Sequence, residues 1–143
     1  MKRGSNERRE LSPANTRPQH ILVIEDQLDN RQILRDLLTS ADFEVIEAED
    51  GEAGLAAAAV HRPDLILMDI QLPGLDGYEA TRRLKGDAAL HAIPVIAITA
   101  YELNEAEDKA RAAGCDAYMA KPVSPRKLLA KVREYLSRVA PTR

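Results

Sequence analysis

Cysteine is almost absent from the chain: Cys115 is the single one among 143 residues. That excludes an intrachain disulfide and a thiolate metal cluster. It suits a reducing compartment. No stretch approaches the roughly 20 apolar residues of a membrane-spanning helix. The N-terminus is basic, but no apolar run follows it, so no secretory signal is expected. Neither a Gly-x-Gly-x-x-Gly nor a Walker pattern occurs. These absences lead to the expectation of a cytoplasmic protein without membrane contact.

What is present is an ordinary globular composition. Hydrophobic residues make up 45% and charged residues 30%, enough for a real core. The net charge of −3 is unevenly spread. Lys2, Arg3, Arg8, Arg9 and Arg17 outnumber Glu7 and Glu10, so the first residues are basic and the remainder is more acidic than the total. An acidic body is a poor nucleic-acid binder, because phosphate contacts dominate that affinity. Nucleic acid is therefore not expected as a partner. The expected organisation is a disordered basic tail over 1–18, one domain over 19–138 and a short C-terminal tail over 139–143. The leader has few apolar residues and no periodicity. No output domain is expected.

From residue 20 onward two textures alternate. Short apolar runs occur at Ile21–Ile24, Glu44–Glu47, Leu65–Met68, Val95–Ile98 and Ala117–Met119. The first, third and fourth are continuously apolar, as in strands buried on both faces of a parallel sheet. The second alternates and reads as an edge strand. The intervening stretches read as helices over 28–40, 51–60, 75–86, 102–113 and about 124–138. Leu28, Ile33, Leu34, Leu37 and Leu38 have helical spacing in the first of these. The second is alanine-rich. Gly114 is placed as a helix stop. Ser124-Pro125 reads as a cap followed by proline at the first helical position. Five βα units in series predict a doubly wound α/β domain with a five-stranded parallel sheet in the order 2-1-3-4-5, flavodoxin-like.

Ligands of such sheets bind beyond the carboxyl ends of the strands. The first strand runs into Glu25-Asp26, the third into Asp69, the fourth into Thr99 and the fifth into Lys121-Pro122. In the order 2-1-3-4-5 these ends are neighbours. Three carboxylates held together repel one another, and a hard divalent cation relieves the repulsion. Mg²⁺ takes a few protein oxygens, keeps waters and adds phosphate oxygens, so the cluster reads as a magnesium–phosphate site. Asp69 is then a carboxylate nucleophile. The metal and Lys121 offset charge on a transferring phosphoryl group. Taken singly, each residue has a plainer reading. Asp26 can cap the following helix, Asp69 can be a loop acid, Thr99 a cap and Lys121 a solvated charge.

The sequence resembles the receiver domains of two-component response regulators, from about His20 to Leu136. The family's acidic pair matches Glu25-Asp26. Its phosphoacceptor matches Asp69 in Leu65-Ile66-Leu67-Met68-Asp69. The proline and glycine of the next loop match Pro73 and Gly77. The hydroxyl residue matches Thr99, the lysine–proline pair Lys121-Pro122, and the aromatic switch position Tyr118. Thr99 lies 30 positions after Asp69, and Lys121 lies 22 positions after Thr99, as in the family.

The resemblance implies a cis peptide before Pro122. It also implies direct Mg²⁺ ligation by Asp26, Asp69 and the backbone carbonyl of Gln71. Glu25 stands where many members have Asp, and is expected to act through water. The implied phosphodonor is a sensor histidine kinase or a histidine phosphotransfer protein. The implied output is a downstream protein target or onward relay, not an enzymatic product. Three other readings are weaker. An interaction module that has lost phosphorylation does not need all these residues. An aspartyl-phosphate phosphatase carries a second acid two positions after its nucleophile, where this chain has Gln71. A flavin domain of this topology wants a Ser/Thr/Gly-rich loop where this chain has Glu25-Asp26-Gln27.

Overall fold

The computed structural model describes residues 18–100 and 103–139. The expected basic tail thus lies outside the described residues, apart from Pro18, as do residues 140–143. The elements are β1 (His20–Ile24), α1 (Leu28–Ser40), β2 (Glu44–Ala48), α2 (Gly51–His61), β3 (Leu65–Asp69), α3 (Gly77–Lys85), β4 (Val95–Thr99), α4 (Leu103–Ala113), β5 (Ala117–Ala120) and α5 (Pro125–Val139). The strands form one parallel sheet in the order β2-β1-β3-β4-β5. This is the doubly wound fold read from the sequence.

Side chains of a strand alternate between faces, and the two rows build two cores. Ile21, Val23, Leu65, Leu67, Ile96 and Ile98 pack with Leu34 and Leu38 of α1 and Leu128, Val132 and Leu136 of α5. Leu22, Ile24, Ile66, Met68 and Ala97 pack on the other face with Ala58 of α2, Ala80 and Leu84 of α3 and Ala110 of α4. β3 and β4 are buried along their whole length. Each such aliphatic side chain stabilises the fold by about 1.5–3 kcal/mol. β2 is an edge strand, and its Glu44 is exposed. β5, the other edge, is only half-buried.

Caps set the helix limits. Asp76 accepts from Glu79 N at 2.9 Å, so α3 begins at Gly77, two residues later than the periodicity predicts. Leu75, just before the cap, packs on the core, and its apolar side chain extended the apparent pattern. Ser124 Oγ accepts from Lys127 N at 3.3 Å and opens α5. Gly114 follows α4 at φ +106°, a conformation that strains any residue with a Cβ. The N-cap of α1 is Gln27 and makes no side-chain cap bond, so Asp26 does not cap that helix. Among the described residues no helix is long and apolar enough to cross a membrane.

Candidate functional site

Parallel strands bring their carboxyl ends to one edge of the sheet. Glu25 and Asp26 follow β1, Asp69 ends β3, Thr99 ends β4 and Lys121 follows β5. Alternation sorts these residues. Glu25 continues the Ile21–Val23 row, Asp69 the Leu65–Leu67 row and Lys121 the Ala117–Met119 row, all on the α1/α5 side. There Lys121 Nζ lies 3.1 Å from Asp69 Oδ2 and 3.2 Å from Glu25 Oε1. Glu25 and Asp69 are 2% and 3% exposed. Carboxylate oxygens of Glu25, Asp26 and Asp69 lie within 4.8 Å of one another.

Backbone amides hold the acids in place. Gln71 N donates to Asp69 Oδ1 at 3.0 Å, and Gln27 N donates to Glu25 Oε2 at 3.0 Å. Gln71 therefore follows Asp69 with its backbone turned against the acid. Its side-chain Oε1 accepts from Ala100 N at 3.2 Å, a bridge between the loops after β3 and β4. Lys121 N donates to Thr99 O at 2.8 Å. The Lys121–Pro122 peptide is cis. Gly77 permits the close approach of α3 to the acid loop. A Cβ there would meet Asp69 O at 2.6 Å and Ile70 Cα at 2.7 Å.

Thr99 is fully buried and continues the Val95–Ala97 row. Tyr118 pairs in register with Ala97 on the adjacent strand and packs half-buried against the same core. The structure therefore brings Thr99 and Tyr118 to one side of the sheet, and Glu25, Asp69 and Lys121 to the other.

Burial pushes the Asp69 carboxyl up to about 6, and the nearby Glu25 adds to the rise. The Gln71 amide and Lys121 pull it back only in part. Burial alone would lower the Lys121 ammonium, but Asp69 and Glu25 outweigh it and the net shift is upward. One ammonium thus pairs with two carboxylates of a cluster of three. The donors are all oxygens, the set that hard divalent cations take. The acidic cluster is of the type that holds Mg²⁺ in receiver domains.

Two contacts at this edge carry no sequence signal that reading along the chain detects. One is the Gln71–Ala100 bridge. The other joins Arg31 of α1 to the Glu25 carbonyl and to Glu47 of β2. Both join separate elements, and no fixed spacing marks such pairs.

Comparison with known proteins agrees with this geometry. The sequence profile described as "Response regulator receiver domain" matches residues 21–133. The polar-differentiation response regulator DivK of Brucella anthropi is 42% identical over 119 residues, 83% of this chain and 97% of that one. The receiver domain of a signal transduction histidine kinase from Syntrophus aciditrophicus superposes with a TM-score of 0.81 at 30% identity, covering 87% of this chain and 95% of that one. The receiver domain of the sensor histidine kinase PA1611 from Pseudomonas aeruginosa has a TM-score of 0.79 at 33% identity, covering 85% and 99%, and holds a magnesium ion in its active-site cleft.

The chain belongs to the response regulator receiver family. It is a phosphoacceptor protein of two-component signalling, resembling the DivK regulators, and its activity is phosphorylation-dependent. Membership implies a histidine kinase as partner.

Proposed function

We propose that Asp69 accepts a phosphoryl group from the phosphohistidine of a sensor kinase or a histidine phosphotransfer protein in the cytoplasm. The observation that carries this is the pairing of Lys121 with both Asp69 and Glu25 beside Asp26. It gives a nucleophile, a fixed cation and an excess of acidic oxygens at one place. Asp26, Asp69 and the Gln71 carbonyl would hold Mg²⁺ directly, and Glu25 through water. Bound there, Mg²⁺ supplies the positive charge that lets a phosphoryl dianion approach the acids.

The chain's own groups do the rest. The Gln71 amide orients the Asp69 carboxylate. Lys121 offers its ammonium to a phosphoryl oxygen. The Thr99 hydroxyl offers a second donor. A protein donor is supported by the surroundings. Leu28 and Ile33 of α1 are 55% and 63% exposed. Ile33 lines a groove of about 410 Å³ with Lys121, Pro122 and Val123, and the groove reaches Glu25. The phosphorylated protein then acts through a downstream protein or passes the group on.

The test is incubation with a small phosphodonor, read by intact mass. One phosphoryl group is expected with Mg²⁺ and none in excess chelator, and Asp26→Ala is expected to weaken Mg²⁺ binding sharply. Full labelling in chelator contradicts the metal site.

A further inference from the structure

We infer that Arg31 is a positioning residue for the metal site, acting through the peptide between Glu25 and Asp26. This rests on the Mg²⁺ reading above and names a residue outside its ligand set. Arg31 lies on α1 with its side chain only 14% exposed. Its Nη1 donates to the Glu25 carbonyl at 2.9 Å, and its Nε donates to Glu47 Oε1 at 3.2 Å. Glu47 is held from the other side, where Oε2 accepts from Arg35 Nη1 at 3.0 Å. A guanidinium presents its donors in a rigid fork, so the two bonds of Arg31 fix its plane.

The anchored group is the carbonyl that begins the Glu25–Asp26 peptide. Glu25 N donates to Ala48 O at 3.0 Å, so both backbone groups of Glu25 are tied. Its carboxylate is tied as well, to Gln27 N and to Lys121. The Asp26 carboxylate has no hydrogen-bond partner among the described residues, and Asp26 does not cap α1. Its direction therefore depends on the peptide plane it hangs from, and Arg31 sets that plane. Arg31 pairs with none of the three site carboxylates. Its effect is to aim Asp26, not to neutralise the cluster.

The experiment is an amide NMR titration with Mg²⁺ of wild type, Arg31→Ala, Arg31→Lys, Glu47→Gln and Arg35→Ala. Urea unfolding is measured on each. Groups that orient metal ligands from behind affect metal affinity by roughly 10- to 100-fold. Arg31→Ala is expected to weaken Mg²⁺ binding at least about 10-fold. Arg31→Lys keeps a donor but loses the fork, so it is expected to fall between Arg31→Ala and wild type. Arg35→Ala leaves both hydrogen bonds of Arg31 in place and is expected to weaken Mg²⁺ binding less than Arg31→Ala does.

A merely structural role would lower the urea midpoint and leave the affinity of the folded protein unchanged. Arg31→Ala binding as tightly as wild type overturns the inference alone. If Arg31→Ala does not fold, Arg31→Lys and Glu47→Gln carry the comparison, and unchanged affinity in both overturns it. A wild type that binds no Mg²⁺ overturns the metal-site reading and this inference with it.

Discussion

Burial of Asp69 works against its ionisation in the folded protein. Its carboxyl is raised from 3.8 to about 6, first by burial and then by Glu25. The folded protein therefore keeps the proton that the unfolded chain gives up between those values. Stability tied to that proton is fully present below about pH 4 and is lost as pH rises to about 6. At neutral pH the ionised acid costs the metal-free fold on the order of 3 kcal/mol. Asp69→Asn is expected to be more stable than metal-free wild type at pH 7, by roughly 1–3 kcal/mol. The gap is expected to close below pH 4. Urea unfolding from pH 4 to 7 measures it, and a constant gap contradicts the assignment. A neighbouring residue works by size alone. Gly77→Ala is expected to destabilise by about 1–3 kcal/mol through overpacking, because its Cβ would press on the backbone of Asp69 and Ile70. The urea midpoint reads this directly.

Between elements, the question is how a change at Asp69 reaches a surface. A phosphoryl group on Asp69 adds acceptor oxygens at the edge where Thr99 ends β4. Thr99 and Tyr118 continue one row on adjacent strands. We propose that movement of the Thr99 hydroxyl toward the phosphoryl group would change the space open to Tyr118, giving a two-state element of the kind switching needs. The face formed by α4, β5 and α5 is then expected to change. Within that face β5 is an edge strand, half-buried along its length. Tyr101, which follows on this path, lies outside the described residues. Thr99→Ala is expected to accept phosphate, less efficiently, with amide shifts along 103–126 reduced to a small fraction of the wild-type change. Wild-type shifts in that variant contradict Thr99 as the coupling residue. The same elements show why sequence reading worked where it did. Within β1, β3 and β4 the stretches 21–24, 65–68 and 95–98 hold no polar residue, since both their faces are covered. The apolar pattern predicts α3 two residues too early because Leu75 packs on the core from outside the helix.

At the scale of the molecule, topology is what makes the site. The order β2-β1-β3-β4-β5 sets β3 between β1 and β4, so Asp69 falls between the acids after β1 and Thr99. Glu25, Asp69, Thr99 and Lys121 were legible because strand ends in this fold share one edge. The Arg31–Glu47–Arg35 chain was not, because a helix-to-strand contact across sixteen residues follows no sequence period. The Gln71–Ala100 bridge escaped for the same reason. The most direct test of the account is phosphotransfer from a phosphorylated histidine kinase to wild type and to Asp69→Asn, both shown to be folded. Wild type is expected to take one phosphoryl group, in Mg²⁺, as an acyl phosphate that hydroxylamine removes, and Asp69→Asn is expected to take none. Equal labelling of the two, or label that resists hydroxylamine, contradicts it.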